Sequence, residues 1–171
     1  MSAPQSESHG EPRAFHRIVA ELDYPMIVAT TKAGADMDGC LVGFSTQCSI
    51  KPPRYAVFLS KKNRTAQIAA RAEIIVVHVL RPGDKPIARL FGEETADRVP
   101  KLEQCSWSPG PGGAPVIDDC DWFAGRILQR VDAGDHVLHL LDVMDEGDAT
   151  RADRGQLGFQ VVRDLNAGHE P

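Results

Sequence analysis

Apolar and polar residues alternate through the stretch from Gly39 to Pro53, which reads G-C-L-V-G-F-S-T-Q-C-S-I-K-P-P. At period two, the mostly apolar set, which suits the inside of a sheet, is Cys40, Val42, Phe44, Thr46, Cys48 and Ile50. The other set is mostly small or polar and comprises Leu41, Gly43, Ser45, Gln47 and Ser49. The pattern predicts one strand that ends at Lys51-Pro52-Pro53, because proline has no backbone donor. Its second face would meet either water or a flat polar ligand, which Gly43 would allow close to the backbone.

Compact apolar runs predict further strands before and after this stretch. The seven residues K-A-G-A-D-M-D at 32–38 look like a hairpin connection, so the strand before them would pair antiparallel with the central one. The run I-I-V-V-H-V-L is the clearest strand, and its His78 is expected in the core or at the core rim rather than on a ligand. Gly134-Asp135 predicts the turn of a long C-terminal hairpin. The predicted strands are 26–31, 39–50, 54–60, 74–80, 116–117, 121–130, 136–145 and 157–165.

Helical spacing is confined to short segments. We predict a helix over 15–22, a second that begins after an Asn63 N-cap, and a third that ends at Gly92. Another helical turn or two is expected within 93–102. The Gly- and Pro-rich segment 106–115 is predicted to be irregular, either a lid or a surface connection. Hairpin-linked strands with short helices predict a mainly β domain, an antiparallel barrel or sandwich.

Composition narrows the classes of protein. A chain of 171 residues that is 42% hydrophobic and 25% charged suits one globular domain. We place that domain at 15–165, between polar tails at 1–14 and 166–171. The net charge of −5 argues against nucleic acid and anionic membranes as partners, and no apolar run approaches the roughly 20 residues that span a bilayer. Four cysteines without C-x-x-C spacing predict reduced thiols and a cytoplasmic location.

Familiar catalytic motifs are absent. The chain has no dinucleotide-binding or P-loop glycine pattern and no H-E-x-x-H or G-x-S-x-G, and its cysteines lack zinc-type spacing, so no metal site is predicted. The cluster at 61–65, K-K-N-R-T, stands at a predicted helix start, where amide groups and basic side chains would hold a phosphate. A solvated basic turn is the alternative. The polar strand face and such a cradle together suit a planar polar ring with a phosphate, which is the shape of flavin mononucleotide (FMN).

The succession of motifs resembles the flavin reductase-like family, whose fold is the FMN-binding split barrel. The matching segments are V-A-T-T at 28–31, the stretch 39–53, N-R-T at 63–65, H-V-L at 78–80, I-A-R-L-F-G at 87–92 and G-D-H at 134–136. The resemblance extends over about residues 16–165. It implies a mainly β fold with short helices, an antiparallel split β-barrel.

Carried over by position, the resemblance implies a flavin site. The isoalloxazine edge would be held, largely through backbone groups, by Val42, Gly43, Phe44 and Ser45. Gln47 and Ser49 would lie along the ribityl chain or the phosphate, and the phosphate site would be completed by Lys62, Asn63, Arg64 and Thr65. His136 would lie near the flavin and the nicotinamide and orient the hydride donor. Members of the family are usually homodimers with the flavin at or near the subunit interface.

The implied activity is NAD(P)H-dependent reduction of FMN, with FAD or a deazaflavin as alternative cofactors. Reduced flavin would then be available to a separate monooxygenase. The chain departs from the family where Leu41 to Phe44 replace a threonine-alanine-asparagine-serine-like run, and where His78 replaces an asparagine. These departures leave open a flavin- or deazaflavin-dependent reductase of another small molecule, and a non-catalytic flavin-binding protein.

Overall fold

The computed structural model describes residues 13–93 and 100–165. Most of both predicted tails, and most of the helical turns expected within 93–102, lie outside the described residues. The α-helices are α1 (Arg13–Ala20), α2 (Arg64–Ala69), α3 (Lys85–Glu93) and α4 (Phe159–Val162). The strands are β1 (Ile27–Ala33), β2 (Asp36–Val42), β3 (Ser45–Ser49), β4 (Arg54–Ser60), β5 (Ile74–Val79), β6 (Trp107–Pro109), β7 (Pro115–Ile117), β8 (Asp121–Asp132) and β9 (His136–Gly147). No helix in these ranges is both long enough and apolar enough to span a membrane.

Seven strands form one antiparallel sheet in the order β2-β1-β5-β8-β9-β4-β3. Its two edge strands, β2 and β3, are joined by Gly43 and Phe44 alone. Three Cα–Cα steps reach at most about 11 Å, whereas the edges of a flat seven-stranded sheet would lie about 29 Å apart. The sheet must therefore curl until its edges approach without pairing. This is the split barrel that the family resemblance implies.

The prediction of one strand over 39–50 is wrong. The chain breaks at Gly43-Phe44 and continues as β3 on the opposite edge of the sheet. The apolar set is therefore buried only at Cys40 and Val42, while Phe44, Thr46, Cys48 and Ile50 are exposed. Apolar and polar residues continue to alternate at period two through the break. The alternating apolar set faces the core in β2, but it is exposed to solvent in β3 at the other edge of the sheet.

The connection predicted at 32–38 is also shorter than expected. β1 and β2 extend through most of that segment, and the turn between them is Gly34-Ala35, with Gly34 at a φ of 60°. Helix α3 continues to Glu93, so Gly92 lies inside it rather than ending it. The other predicted strands are confirmed to within a few residues, except for 157–165.

The expectations for segments 106–115 and 157–165 are wrong. Segment 106–115 contributes to a small hairpin of β6 and β7, whose turn uses Gly112 and Gly113 at positive φ. The Trp107 indole anchors it by donating to the Leu102 carbonyl at 3.0 Å. Segment 157–165 contains α4 rather than a strand, and the Asp23 carboxylate accepts a hydrogen bond from the Gln160 N–H in its first turn. That carboxylate lies too far back in the sequence for local pattern to reveal it.

His78 is a core histidine, as predicted. Its ring is fully buried between β1 and the β6–β7 hairpin. Nδ1 lies 3.1 Å from the Val28 carbonyl oxygen, and Nε2 accepts the Ile117 N–H at 2.9 Å. These partners specify a neutral ring with the proton on Nδ1. Burial lowers the pKa of His78 to about 4.

We therefore expect the free energy of unfolding to fall as the pH is lowered from 6.5 to 4. The unfolded chain binds a proton at His78 near pH 6.5, whereas the folded chain resists it until about pH 4. The loss attributable to this ring amounts to about 3 kcal/mol across that window. Urea unfolding at pH 7, 6, 5 and 4 measures it, with His78→Asn as the comparison because an amide does not titrate. A pH dependence equally steep in His78→Asn would contradict this assignment.

Candidate functional site

A pocket of about 450 Å³ opens where the β2–β3 break meets the β4–α2 connection, the β8–β9 turn and α4. This volume is typical of sites for small organic ligands. Polar side chains gather in one part of the lining, called here the polar end: Ser60, Lys62, Asn63, Asp135 and His136. A second part, called the apolar end, is formed by Leu41, Phe91, Gly92, Val162 and Leu165. Tyr24, Met26, Cys40, Val42, Gly43, Phe44, Phe58, Phe159 and Arg163 complete the lining.

Gly43 and Phe44, which form the β2–β3 break, both line this pocket. Among residues 13–93 and 100–165, no partner accepts from the N–H of Gly43 or Phe44, while the Phe44 carbonyl accepts from Phe58 at 3.0 Å. A Cβ on Gly43 would lie 2.9 Å from Cε2 of Tyr24. The glycine is thus required by a packed tyrosine ring as well as suiting the approach of a ligand.

Strand pairing brings His136 to the polar end. His136 begins β9 and pairs with Ser60, the last residue of β4, so the β8–β9 turn lies beside the start of α2. Its Nδ1 lies 2.7 Å from Oδ1 of Asp135, and this bond is the main reason that the pKa of Asp135 is lowered. A carboxylate only accepts, so Nδ1 carries the proton and Nε2 is the nitrogen available to a ligand. The Phe44 ring lies 5.2 Å from the imidazole, centroid to centroid.

The predicted phosphate residues divide into two pairs. Lys62 and Asn63 line the pocket. Arg64 is outside the lining and pairs with Asp36 at 3.6 Å. Thr65 is 1% exposed and lies beside the Cys40 thiol. Asn63 does precede α2, but its side chain forms no capping hydrogen bond.

The residues predicted on β3 also lie outside the pocket lining. The Ser45 hydroxyl is 3.0 Å from the Tyr55 hydroxyl, and the Gln47 amide donates to the Ser49 carbonyl at 3.2 Å. The pocket therefore gathers Val42, Gly43, Phe44, Lys62, Asn63 and His136, and not Ser45, Gln47, Ser49, Arg64 or Thr65.

An aromatic row, Phe44, Tyr24 and Phe159, was not predicted. The Tyr24 and Phe159 rings stack at 4.8 Å, and the Tyr24 and Phe44 rings lie 6.1 Å apart. In the sequence, Tyr24 is only part of the Asp-Tyr-Pro that ends a helix, and Phe159 belongs to a segment predicted as a strand. Neither the period of the pattern nor a motif marks them as pocket residues, because α4 reaches the site through tertiary contacts alone.

The thiols are not poised for nucleophilic chemistry. Burial raises the pKa of Cys40, which lines the pocket, to about 11, and that of Cys120 to about 12. Both are protonated at neutral pH. Cys48 is exposed on β3, which corrects the expectation that the strand thiols lie in the core. In the described ranges, no three histidine, cysteine or carboxylate side chains converge to hold a metal ion.

Comparison with known proteins identifies the family. The model of the flavin reductase like domain matches residues 19–160. A relative from Rhizobium rhizogenes, FMN reductase (NADH) RutF 2, is 30% identical over 150 residues, which cover 84% of each chain. The chain belongs to the flavin reductase like family.

Two further similarities are more distant. The reductase component of the flavin-dependent trigonelline monooxygenase from Acinetobacter baylyi is 27% identical over 106 residues, which cover 59% of this chain and 33% of that protein. The solved structure of the NADH:FAD oxidoreductase SgcE6 from Streptomyces globisporus superposes with a TM-score of 0.76 at 22% identity and covers 89% of this chain and 91% of that chain. The latter similarity supports the split-barrel fold.

Proposed function

We propose that this protein is an NAD(P)H-dependent flavin reductase, which passes hydride from the nicotinamide to N5 of a bound flavin. The main support for this proposal is that one pocket is lined by two backbone amides without acceptors, those of Gly43 and Phe44, together with the side chains of His136 and Lys62. The names of the relatives support the same chemistry, since RutF 2 is an NADH-dependent FMN reductase and SgcE6 an NADH:FAD oxidoreductase.

The residues present fit FMN. Apolar and aromatic walls suit a planar ring, the amide donors of Gly43 and Phe44 suit its polar edge, and the ammonium of Lys62 suits a phosphate. When bound, the flavin supplies the hydride-accepting centre. FAD and deazaflavins carry similar tricyclic rings, so they remain alternative cofactors.

The side chains of the pocket would bind the flavin and orient the nicotinamide donor. His136, held by Asp135 through Nδ1, would present Nε2 to the donor's nicotinamide and limit its approach to one face of the flavin. Phe44, beside this imidazole and 53% exposed, would shield the reacting atoms from water. The flavin contacts predicted for the residues outside the pocket lining remain predictions; these residues are Ser45, Gln47, Ser49, Arg64 and Thr65. Each contact requires either that the ligand extends beyond this pocket or that the local structure shifts.

A second candidate is the reduction of another small molecule by bound FMN or deazaflavin. Leu41, Val42 and Phe44 offer no polar side chain to the ring, and no predicted flavin contact lies at the apolar end. A non-catalytic flavin-binding protein is the third. Titration with FMN followed by absorbance, and the turnover assay below, separate all three.

Purified protein is expected to oxidise NADH or NADPH when FMN or FAD is added, measured by loss of absorbance at the nicotinamide band. His136→Ala should lower kcat by about tenfold or more, because an unoriented donor seldom reaches the reactive geometry. Flavin affinity should change much less, since the ring and the phosphate have other partners. His169→Ala, in the predicted C-terminal tail 166–171, is the matched histidine control.

If the protein binds flavin tightly but shows no turnover with either donor, the third candidate, a non-catalytic flavin-binding protein, is supported instead. A larger effect of His136→Ala on flavin affinity than on kcat would make this histidine a binding residue only.

Lys62→Gln is expected to weaken FMN binding by about tenfold through loss of a charge-assisted contact to the phosphate. Riboflavin, which has no phosphate, should bind both proteins equally. Lys85→Gln is the matched control because Lys85 is an exposed lysine of α3 outside the pocket lining. The phosphate assignment fails if Lys62→Gln weakens riboflavin and FMN alike.

We also propose that the protein is a cytoplasmic homodimer whose partner subunit completes the flavin site. Helix α1 buries none of its residues and exposes Phe15 and Ile18. Leu22, just after α1, and Val161 of α4 are also exposed. Apolar side chains grouped in this way suit an interface between copies. Static light scattering after gel filtration should give twice the monomer mass, and a monomer at micromolar concentration would contradict the proposal.

Transfer of reduced flavin to a separate monooxygenase is a further expectation, supported by the reductase component among the relatives.

A further inference from the structure

The apolar end of the pocket has no role in the predicted flavin site. The predicted residues that reach the pocket lie at the polar end, at the β2–β3 break or, for Val42, at the end of β2. The apolar end lies between β2, α3 and the segment after α4. The aromatic row leads towards it, because Tyr24 contacts both Phe44 beside His136 and Phe159 on α4. A ligand at the apolar end would therefore contact residues other than those predicted to hold the flavin.

Gly92 allows α3 to pack closely against Leu41 of β2 at this end. A glycine inside a helix costs about 1 kcal/mol relative to alanine, so its position in α3 calls for a reason. A Cβ at Gly92 would lie 2.8 Å from Cδ2 of Leu41 and 3.8 Å from Cδ1 of Leu165. Any larger side chain would enter the space between these two leucines.

Two polar groups at the edge of the apolar end suit an anion. Arg163 follows α4 and is exposed, and its guanidinium donates only to the Gln160 side chain, 3.1 Å away, among the residues that the structure describes. No carboxylate pairs with it in those ranges. The Tyr24 hydroxyl likewise has no hydrogen-bond partner there, and burial is the main cause that raises its pKa, so it remains a neutral donor.

We propose that the apolar end binds a small aromatic carboxylate, with its ring among Leu41, Phe91 and Val162 and its carboxylate on Arg163. The walls are aliphatic and aromatic, which favours a planar apolar ring over a sugar or a peptide. The charge at the edge favours an anion. This inference rests on the proposed function only in assigning the polar end to the flavin.

The experiment measures binding of benzoate to the full-length protein by saturation-transfer NMR and calorimetry, before and after loading with FMN. Benzamide tests the need for charge, and cyclohexanecarboxylate tests the need for a planar ring. Benzoate should bind most tightly of the three, and with FMN present as well as absent. Arg163→Gln should weaken benzoate by about fivefold, whereas Arg89→Gln, an exposed arginine of α3 outside the lining, should not.

Gly92→Leu should abolish benzoate binding by filling the apolar end, and circular dichroism with an FMN titration shows whether that variant has folded. If it has not, the arginine pair decides alone. Equal binding to Arg163→Gln and Arg89→Gln overturns the proposal, as does complete displacement of benzoate by NADH, which would assign the apolar end to the donor. These failures are independent of turnover, which tests the reductase activity itself.

Discussion

Two residues connect the opposite edges of a seven-stranded sheet, and the architecture depends on that short link. Gly43 and Phe44 span only about 11 Å, so the sheet has to curl, and the curl produces a split barrel. The same two residues fall outside both strands, so their N–H groups donate to no other described residue. The constraint that shapes the barrel therefore also places free donors at the pocket.

The polar and apolar ends of the pocket have different structural origins. The polar end comes from strand pairing, since Ser60 opposite His136 fixes the β8–β9 turn against the start of α2. The apolar end comes from helices packed by side chains, with α4 held in place through Asp23 and the Gln160 side chain. Backbone hydrogen bonds between strands form with many different side chains, so the polar end can keep its geometry when the sequence changes. The position of the helices at the apolar end depends on the particular side chains that pack there. Chemistry common to the family is thus expected at the first end and differences among its members at the second.

Much of the fold was predictable because it follows from local pattern. The strands 54–60 and 74–80, the helix after Asn63 and the hairpin at Gly134-Asp135 appear where period and turn chemistry place them. The break at Gly43 was not predictable, because apolar and polar residues continue to alternate across it. The site was predicted in part: His136, Lys62 and Asn63 reach the pocket, while Thr65 is buried and Arg64 pairs elsewhere. Tyr24, Phe159 and Arg163 join it through contacts between distant segments, which no local pattern encodes.

The pocket draws on residues from position 24 to position 165, close to both ends of the chain. During synthesis, Tyr24 and the β2–β3 break emerge long before His136, and α4 comes later still. Such long separations in sequence must close before the site exists. A flavin therefore has nothing to bind on a partly made chain, and it can add to stability only by mass action on the finished fold. The fold must then assemble before the cofactor can contribute to its stability.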